Sequence, residues 1–182
     1  MLHVNKCLSQ GRGLAPVLLK RASTVELDWD TRQKSRFDAT DSAGRHLGVF
    51  LPRGSVVRGG DVLVAEDGSL IRMIAAPQPV LRVTVCAEHG TALDLPRAAY
   101  HLGNRHVALE VQADCLQLEP DPVLAEMLRS MHLIVTAVDA PFEPEAGAYA
   151  QDAGAQGHHH DHDDHDDHDD HDDHDDHHGH AH

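Results

Sequence analysis

The chain has 182 residues, and its 30 acidic residues outnumber its 15 lysines and arginines, which gives a formal net charge of −15. Eleven of the acids lie in residues 158–182, so residues 1–157 are only mildly acidic, with 19 acids against 15 bases. This balance argues against nucleic acid and against an anionic membrane as partners. Aromatic residues make up 3% of the chain, which argues against a deep aromatic pocket for an organic substrate.

Residues 1–76 have the pattern of an all-β domain. A period-two alternation, typical of a half-buried strand, runs through Val25, Leu27 and Trp29. Two hairpins are predicted, with turns at residues 41–44 and at Asp67-Gly68. No long helical period occurs, so we expect no helix in this part.

Pro77 and Pro79 mark the predicted boundary between two domains. Proline lacks an N–H and restricts the residue before it, so it discourages both helix and ladder pairing. We therefore expect a break in regular structure at this point.

The sequence pattern of residues 77–140 predicts strands and helices in the order β, α, β, β, α, β. The first helix follows Asp94 as N-cap and stops at Gly103, and the second follows Asp121 as N-cap with Pro122 in its first turn. The apolar face of the second helix is predicted to comprise Val123, Leu124, Met127, Leu128 and Met131.

This element order indicates a ferredoxin-like domain, and with the all-β part it gives an α+β fold class. Both helices would cover one face of an antiparallel four-stranded sheet. The other face must be covered by a partner subunit or by the first domain. Residues 141–157 are predicted to form an irregular arm.

Residues 158–182 form a tail of 12 histidines, 11 aspartates, one glycine and one alanine. Nothing in it can bury apolar surface, so we expect it to be disordered without metal. Imidazoles on a flexible chain bind Ni²⁺, Zn²⁺, Cu²⁺ and Co²⁺, and the aspartates offset the ion's charge. The predicted tail ligands are His158, His159, His160, His162, His165, His168, His171, His174, His177, His178, His180 and His182. A solvated acidic spacer and a purification tag are the alternatives.

Three motifs, in chain order with the tail, narrow the function. They are LPRGSVVRGGDVL at Leu51–Leu63, YHLGNRHVALEV at Tyr100–Val111 and APFEPEAGAYA at Ala140–Ala150. With them, nearly the whole chain resembles the UreE-type urease accessory proteins, which are nickel metallochaperones. The resemblance implies a homodimer joined through the ferredoxin-like domains, in which one histidine from each subunit, His106 by motif, holds a shared Ni²⁺.

The same resemblance implies partners, namely the urease apoprotein and its accessory proteins, including a GTPase. Many relatives carry further histidines before the second helix, where this chain has Glu119, Pro120, Asp121 and Pro122. Peripheral metal sites there are therefore not expected. The Glu143–Ala150 arm either holds the tail near the dimer axis or packs against the partner.

Other residues near the motif are candidates with ordinary alternatives. His101 is either a further ligand or an exposed helix residue. We expect Asn104 to adopt a left-handed turn conformation and Arg105 to pair with an acid. His3, His46, His89 and His132 are expected to be ordinary surface or core residues.

The cysteines Cys7, Cys86 and Cys115 form no C-x-x-C pair, and we interpret them as reduced thiols of a cytoplasmic protein. Cys86 and Cys115 are soft-metal candidates, although buried strand thiols are the commoner case. No signal peptide or membrane span is predicted.

The leading hypothesis is a nickel metallochaperone that delivers Ni²⁺ to apo-urease. The alternative is a transition-metal storage or buffering protein that acts mainly through its tail. A metalloenzyme ranks last, because the folded part has no H-E-x-x-H motif and no nucleophile–base pair in a motif context.

Overall fold

A computed structural model describes residues 1–147 of the chain. Residues Met1–Ala146 form one compact unit. The predictions for the tail, and for the arm beyond residue 147, lie outside the described residues.

The first part of the chain builds a mixed six-stranded sheet in the order β2-β6-β5-β1-β4-β3. Its strands are β1 (Leu2–Leu8), β2 (Ser23–Leu27), β3 (Arg36–Thr40), β4 (His46–Phe50), β5 (Val62–Ala65) and β6 (Leu70–Ala75). The pairs β1–β4 and β2–β6 are parallel, and the other neighbours are antiparallel. The buried core of this sheet includes Val4, Val25, Leu47, Val49, Leu63, Ile71 and Met73.

Both predicted hairpins of this sheet are confirmed. Strands β3 and β4 pair across the turn at residues 41–44, and β5 pairs with β6 across Asp67-Gly68. Gly68 has a φ of 82°, and the Ser69 N–H donates to the Asp67 carboxylate at 2.8 Å. Both observations match the turn chemistry of this dipeptide.

The prediction that residues 1–76 contain no helix is wrong. The structure has α1 at Pro16–Arg21, α2 at Trp29–Arg32 and a 3₁₀ turn at Ser9–Gly11. Trp29 was predicted on a strand, but the Asp28 side chain accepts from the Thr31 N–H and starts a helical turn. Helices of six and four residues span fewer than two turns and so show no repeated period, which leaves their N-cap and proline signals as the only ones available.

The second part of the chain builds a four-stranded sheet in the order β10-β7-β9-β8. Its elements are β7 (Pro77–Val85), α3 (Asp94–Gly103), β8 (Leu109–Val111), β9 (Leu116–Leu118), α4 (Pro122–Ser130) and β10 (Leu133–Pro141). All neighbouring strands are antiparallel. The predicted order β, α, β, β, α, β is observed, although β8 begins at Leu109 rather than at the turn after α3.

The expected break is a single residue, Ala76, which separates β6 from β7. Both prolines lie in β7 and face Pro141 and Asp139 of β10. In a strand, the N–H groups of residues two positions apart point to the same side. Pro77 and Pro79 therefore both lack an N–H on one side of β7. On that side β7 pairs with β9 only at Leu81–Val83. The prolines therefore interrupt no ladder bond.

The caps of the two longer helices differ from each other. Asp121 caps α4 as predicted, with its carboxylate accepting from the N–H groups of Val123 and Leu124. Asp94 is the first residue of α3 rather than its cap, and its carboxylate binds the N–H and hydroxyl of Thr91. Of the predicted apolar face of α4, Leu128 is buried and Leu124, Met127 and Met131 pack against the core. Only Val123 is exposed.

The two faces of the second sheet are covered differently. Helices α3 and α4 cover one face around Leu81, Val83, Leu102, Leu116 and Leu128. On the other face Trp29, from the first part of the chain, packs with Val80, Ala140 and Phe142. The sequence leaves open whether a partner subunit or the first domain covers this face. In the structure, the first part of the same chain covers it at Trp29.

Candidate metal site

His106 lies in the turn that ends α3, and it is exposed. Its N–H donates to the Gly103 carbonyl at 2.9 Å, and the Val107 N–H donates to the Leu102 carbonyl at 3.3 Å. These two bonds, nested one inside the other, are the Schellman arrangement that closes a helix. His106 occupies the position where that arrangement requires a left-handed residue, and its φ is 56°.

Glycine is the usual residue at this position, because a side chain in the left-handed region is strained. The sequence instead places an imidazole there, and it does the same after α4, where the exposed His132 has a φ of 64°. The left-handed conformation therefore orients His106 but does not by itself mark it as a site. The prediction that Asn104 is left-handed is wrong: its φ is −63° and its ψ is −17°. The helical path continues through Asn104, whose N–H donates to the Tyr100 carbonyl, so the reversal falls two residues later.

The neighbours of His106 hold the backbone of the turn. The Arg105 guanidinium donates to the His101 carbonyl at 3.1 Å, and no acid pairs with it among the described residues. The predicted ion pair is therefore wrong, because a carbonyl at the helix end takes the guanidinium instead. His101 is exposed on α3, with its ring 5.5 Å from that of Tyr100.

Within residues 1–147, no group of three or more His, Cys, Asp or Glu side chains is placed to hold a metal ion. His106 therefore offers a single imidazole per chain from this region. The ring centres of His3 and Phe50 lie 5.7 Å apart, and Nδ1 of His46 lies 3.2 Å from the Thr40 hydroxyl oxygen. A cavity of about 660 Å³ is lined by residues such as Leu95, Val111 and Asp114 and not by His106.

The three cysteines have different environments. Burial and the neighbouring Asp61 raise the pKa of Cys7 to about 12. Cys115 is buried, and burial raises the pKa of its thiol. Cys86 is half-buried at the end of β7, and a hydrogen bond with His89 lowers its pKa to about 7.

The arm motif docks onto the first part of the same chain through Glu143. Its carboxylate lies 2.7 Å from the Arg32 guanidinium and accepts from the Gly59 N–H at 2.8 Å. Arg58 contacts the other carboxylate oxygen at 3.4 Å and donates to the Pro144 carbonyl. The motifs at Leu51–Leu63 and Ala140–Ala150 thus meet each other, which neither sequence alternative for the arm anticipates.

Arg32 is the centre of this contact and is completely buried. Its guanidinium donates to the carbonyls of Leu27 and Phe142 at 3.0 and 2.6 Å. Burial lowers the pKa of Arg32, and the charge of Glu143 opposes that effect. The guanidinium carbons of Arg32 and Arg58 lie 5.4 and 4.9 Å from the Trp29 ring centre, within cation–π range. No sequence pattern singles out Arg32, because an isolated arginine belongs to no motif or period.

No helix in the described part of the chain is both long enough and apolar enough to cross a membrane.

Comparison with known proteins covers both parts of the chain. Residues 4–76 match the family model described as the UreE urease accessory protein, N-terminal domain, and residues 78–182 match the one for its C-terminal domain. The chain belongs to the UreE urease accessory protein family.

Relatives from three bacteria match most of the chain, and each is named urease accessory protein UreE. The protein from Albidiferax ferrireducens is 71% identical over 161 residues, covering 88% of this chain and 91% of the relative. The Methylibium petroleiphilum protein is 76% identical over 153 residues, which cover 84% of this chain and 70% of the relative. The Polaromonas naphthalenivorans protein is 69% identical over 160 residues, which cover 88% of this chain and 76% of the relative.

Proposed function

We propose that this UreE family member is a nickel metallochaperone, which binds Ni²⁺ as cargo and delivers it to apo-urease in the cytoplasm. The family and the names of the relatives support a role as accessory to urease. The observation that carries the proposal is His106, an exposed imidazole held on a left-handed turn that the α3 end fixes. Its role is binding and transfer of a cation rather than catalysis.

A single imidazole binds Ni²⁺ weakly, so the proposal requires a second copy of the chain. A twofold axis near His106 would bring two such imidazoles together, since a symmetric interface duplicates every residue close to it. Exposed apolar side chains at the start and middle of α3, Leu93 and Tyr100, are 57% and 67% exposed. They are candidates for the buried part of that interface.

The same proposal assigns the parts of the chain. Residues 1–76 form the first domain, and residues 77–140 form a ferredoxin-like domain, which the strand order β10-β7-β9-β8 supports. Residues 141–157 form the arm and residues 158–182 the metal-binding tail, whose 12 histidines collect Ni²⁺ and complete its coordination. Urease apoprotein receives the Ni²⁺, and a GTPase among the urease accessory proteins assists the transfer.

Urease activity at limiting nickel tests the delivery function. His106→Asn is the sharper variant, because asparagine tolerates the left-handed conformation and so preserves the turn. We expect cells carrying His106→Asn to lose most urease activity, while His101→Asn on the same helix keeps it. Wild-type activity in the His106→Asn strain, with equal protein levels, would contradict the proposal.

Calorimetry with Ni²⁺ on residues 1–157, which contain the compact unit Met1–Ala146, tests the paired site directly. We expect one tightly held ion per two chains in the wild type and none in His106→Asn. A stoichiometry unaffected by the variant would remove His106 from the site.

Storage through the tail is the second candidate, favoured by the 12 histidines and 11 aspartates in residues 158–182. If storage is the main function, truncation after Gly157 abolishes metal tolerance and leaves urease activation intact. If delivery is the main function, truncation leaves metal tolerance unchanged, and the truncated protein retains only part of its urease activation, through His106.

A further inference from the structure

The segment after β7, Cys86–Gly90, is a tightly closed loop. The Gly90 N–H donates to the Cys86 carbonyl at 2.8 Å. A Cβ atom on Gly90 would lie 1.8 Å from Cγ1 of Val85 and 2.5 Å from the Cys86 carbonyl oxygen. Only glycine therefore fits where the loop closes, and the backbone between Cys86 and Gly90 is held in one compact form.

This loop places a thiol beside an imidazole. The Cys86 sulfur lies 3.9 Å from Nδ1 of His89, and the His89 side chain is 80% exposed. Cys86 is half-buried, so the pair opens towards solvent at one end of the sheet. The Glu88 carboxylate, 4.0 Å from the same ring nitrogen, adds negative charge.

The separation of the two donor atoms allows both of them to reach one cation. A sulfur at about 2.3 Å and a nitrogen at about 2.1 Å from one tetrahedral ion lie about 3.6 Å apart. At the right angle of a square-planar ion the same bonds would place them only about 3.1 Å apart. The observed 3.9 Å is longer than both, so it argues against the right angle of a planar ion and agrees with the wider angles of tetrahedral and trigonal ions.

We propose that Cys86 and His89 form a second metal site, separate from His106, that takes a soft tetrahedral cation of the Zn²⁺ or Cu⁺ class. Thiolate ligands select these ions, whereas Ni²⁺ among nitrogen and oxygen donors favours planar or octahedral sites. The two side chains supply two ligands, and water supplies the rest. The site does not depend on nickel delivery, since neither residue takes part in the turn that holds His106.

Protection of the Cys86 thiol in the full chain tests the site. The tail is proposed to bind metal ions too, but the alkylation rate of Cys86, followed by mass spectrometry with iodoacetamide, reports only this thiol. We expect Zn²⁺ to slow alkylation of Cys86 at least ten-fold and to leave the rates of Cys7 and Cys115 unchanged. His89→Ala should lose the protection at the same Zn²⁺ concentration, and His46→Ala, on the other sheet, should keep it.

A spectroscopic test uses Co²⁺ as the probe. A thiolate ligand gives a sulfur-to-cobalt charge-transfer band that histidines and aspartates of the tail cannot produce. We expect the band in the wild type and in Cys115→Ala, and its loss in Cys86→Ser. A band that survives in Cys86→Ser, or Zn²⁺ protection that survives in His89→Ala, would overturn the proposal without affecting the role of His106.

Discussion

Arg32 and Glu143 form an ion pair of 2.7 Å between the end of α2 and the arm that follows β10. Arg32 is completely buried, and the Glu143 side chain is 30% exposed. The pair joins residues that are 111 positions apart. It fixes where the arm leaves the second sheet, next to the first part of the chain.

Glu143→Gln should lower the free energy of unfolding by about 3 kcal/mol, because it leaves the buried Arg32 charge without its counter-ion. Urea denaturation followed by circular dichroism measures this loss. The matched control is Glu145→Gln in the same arm, whose side chain is exposed and which should change stability by less than about 0.5 kcal/mol. Equal effects of the two variants would show that the ion pair contributes nothing specific.

His106→Gly should keep or raise stability, by up to about 1 kcal/mol, because glycine adopts the left-handed conformation without strain. His106→Val should lower it by about 1 to 2 kcal/mol, since a β-branched side chain is poorly tolerated there. Thermal or urea unfolding of the two variants gives the comparison.

The control for that series is Arg105→Gly, one residue earlier, where φ is not positive. Glycine at that position should destabilise the protein by about 0.5 to 1 kcal/mol through backbone entropy. If glycine has the same effect at both positions, the left-handed conformation of His106 is not strained.

Asp41 should contribute to stability in a pH-dependent way. Burial raises the pKa of its carboxyl, but hydrogen bonds from Arg45, Ser23 and Ala43 outweigh that effect and lower the pKa to about 2. This lies below the unfolded value of about 3.9, so the contribution is complete above about pH 4 and is lost as the pH falls through about 2.

Asp41→Asn should therefore cost about 1 to 2 kcal/mol near neutral pH, and the difference from wild type should shrink on acidification. Unfolding free energies measured across the acid range check this dependence. Asp30→Asn, at an exposed position, should show no such trend, and a constant gap for Asp41→Asn would refute the assignment.

Gly90→Ala should destabilise the protein by about 1 to 3 kcal/mol, because the added methyl group meets Val85 and the Cys86 backbone. Gly103→Ala is the matched control, since a Cβ there meets nothing within 4 Å. At the end of α3 alanine should be neutral or stabilising by up to about 1 kcal/mol. Denaturation curves of both variants decide, and a neutral Gly90→Ala would mean that the loop opens freely.

The elements that the sequence predicts best are those with local signals. The Asp67-Gly68 turn, the Asp121 cap and the alternation along β7 each depend on residues within a few positions of one another. The short helices around Pro16 and Trp29 were missed because six and four residues are too few to show a period. The prediction that Asn104 is left-handed rests on residue preference alone, which does not count the hydrogen bonds that end a helix at His106.

By itself the sequence determined the α+β class, the order of the second sheet's elements and the family resemblance that points to His106. Those features depend on the local pattern of apolar and polar residues and on the sequences of short motifs. Only the tertiary structure decided that Trp29 covers the second sheet, that Arg32 holds Glu143 and that Cys86 faces His89. The first two depend on residues brought together from distant parts of the chain, and the third on a loop closure set by Gly90. Spacing along the chain specifies none of these contacts, because they arise only when the two sheets pack and the loop closes.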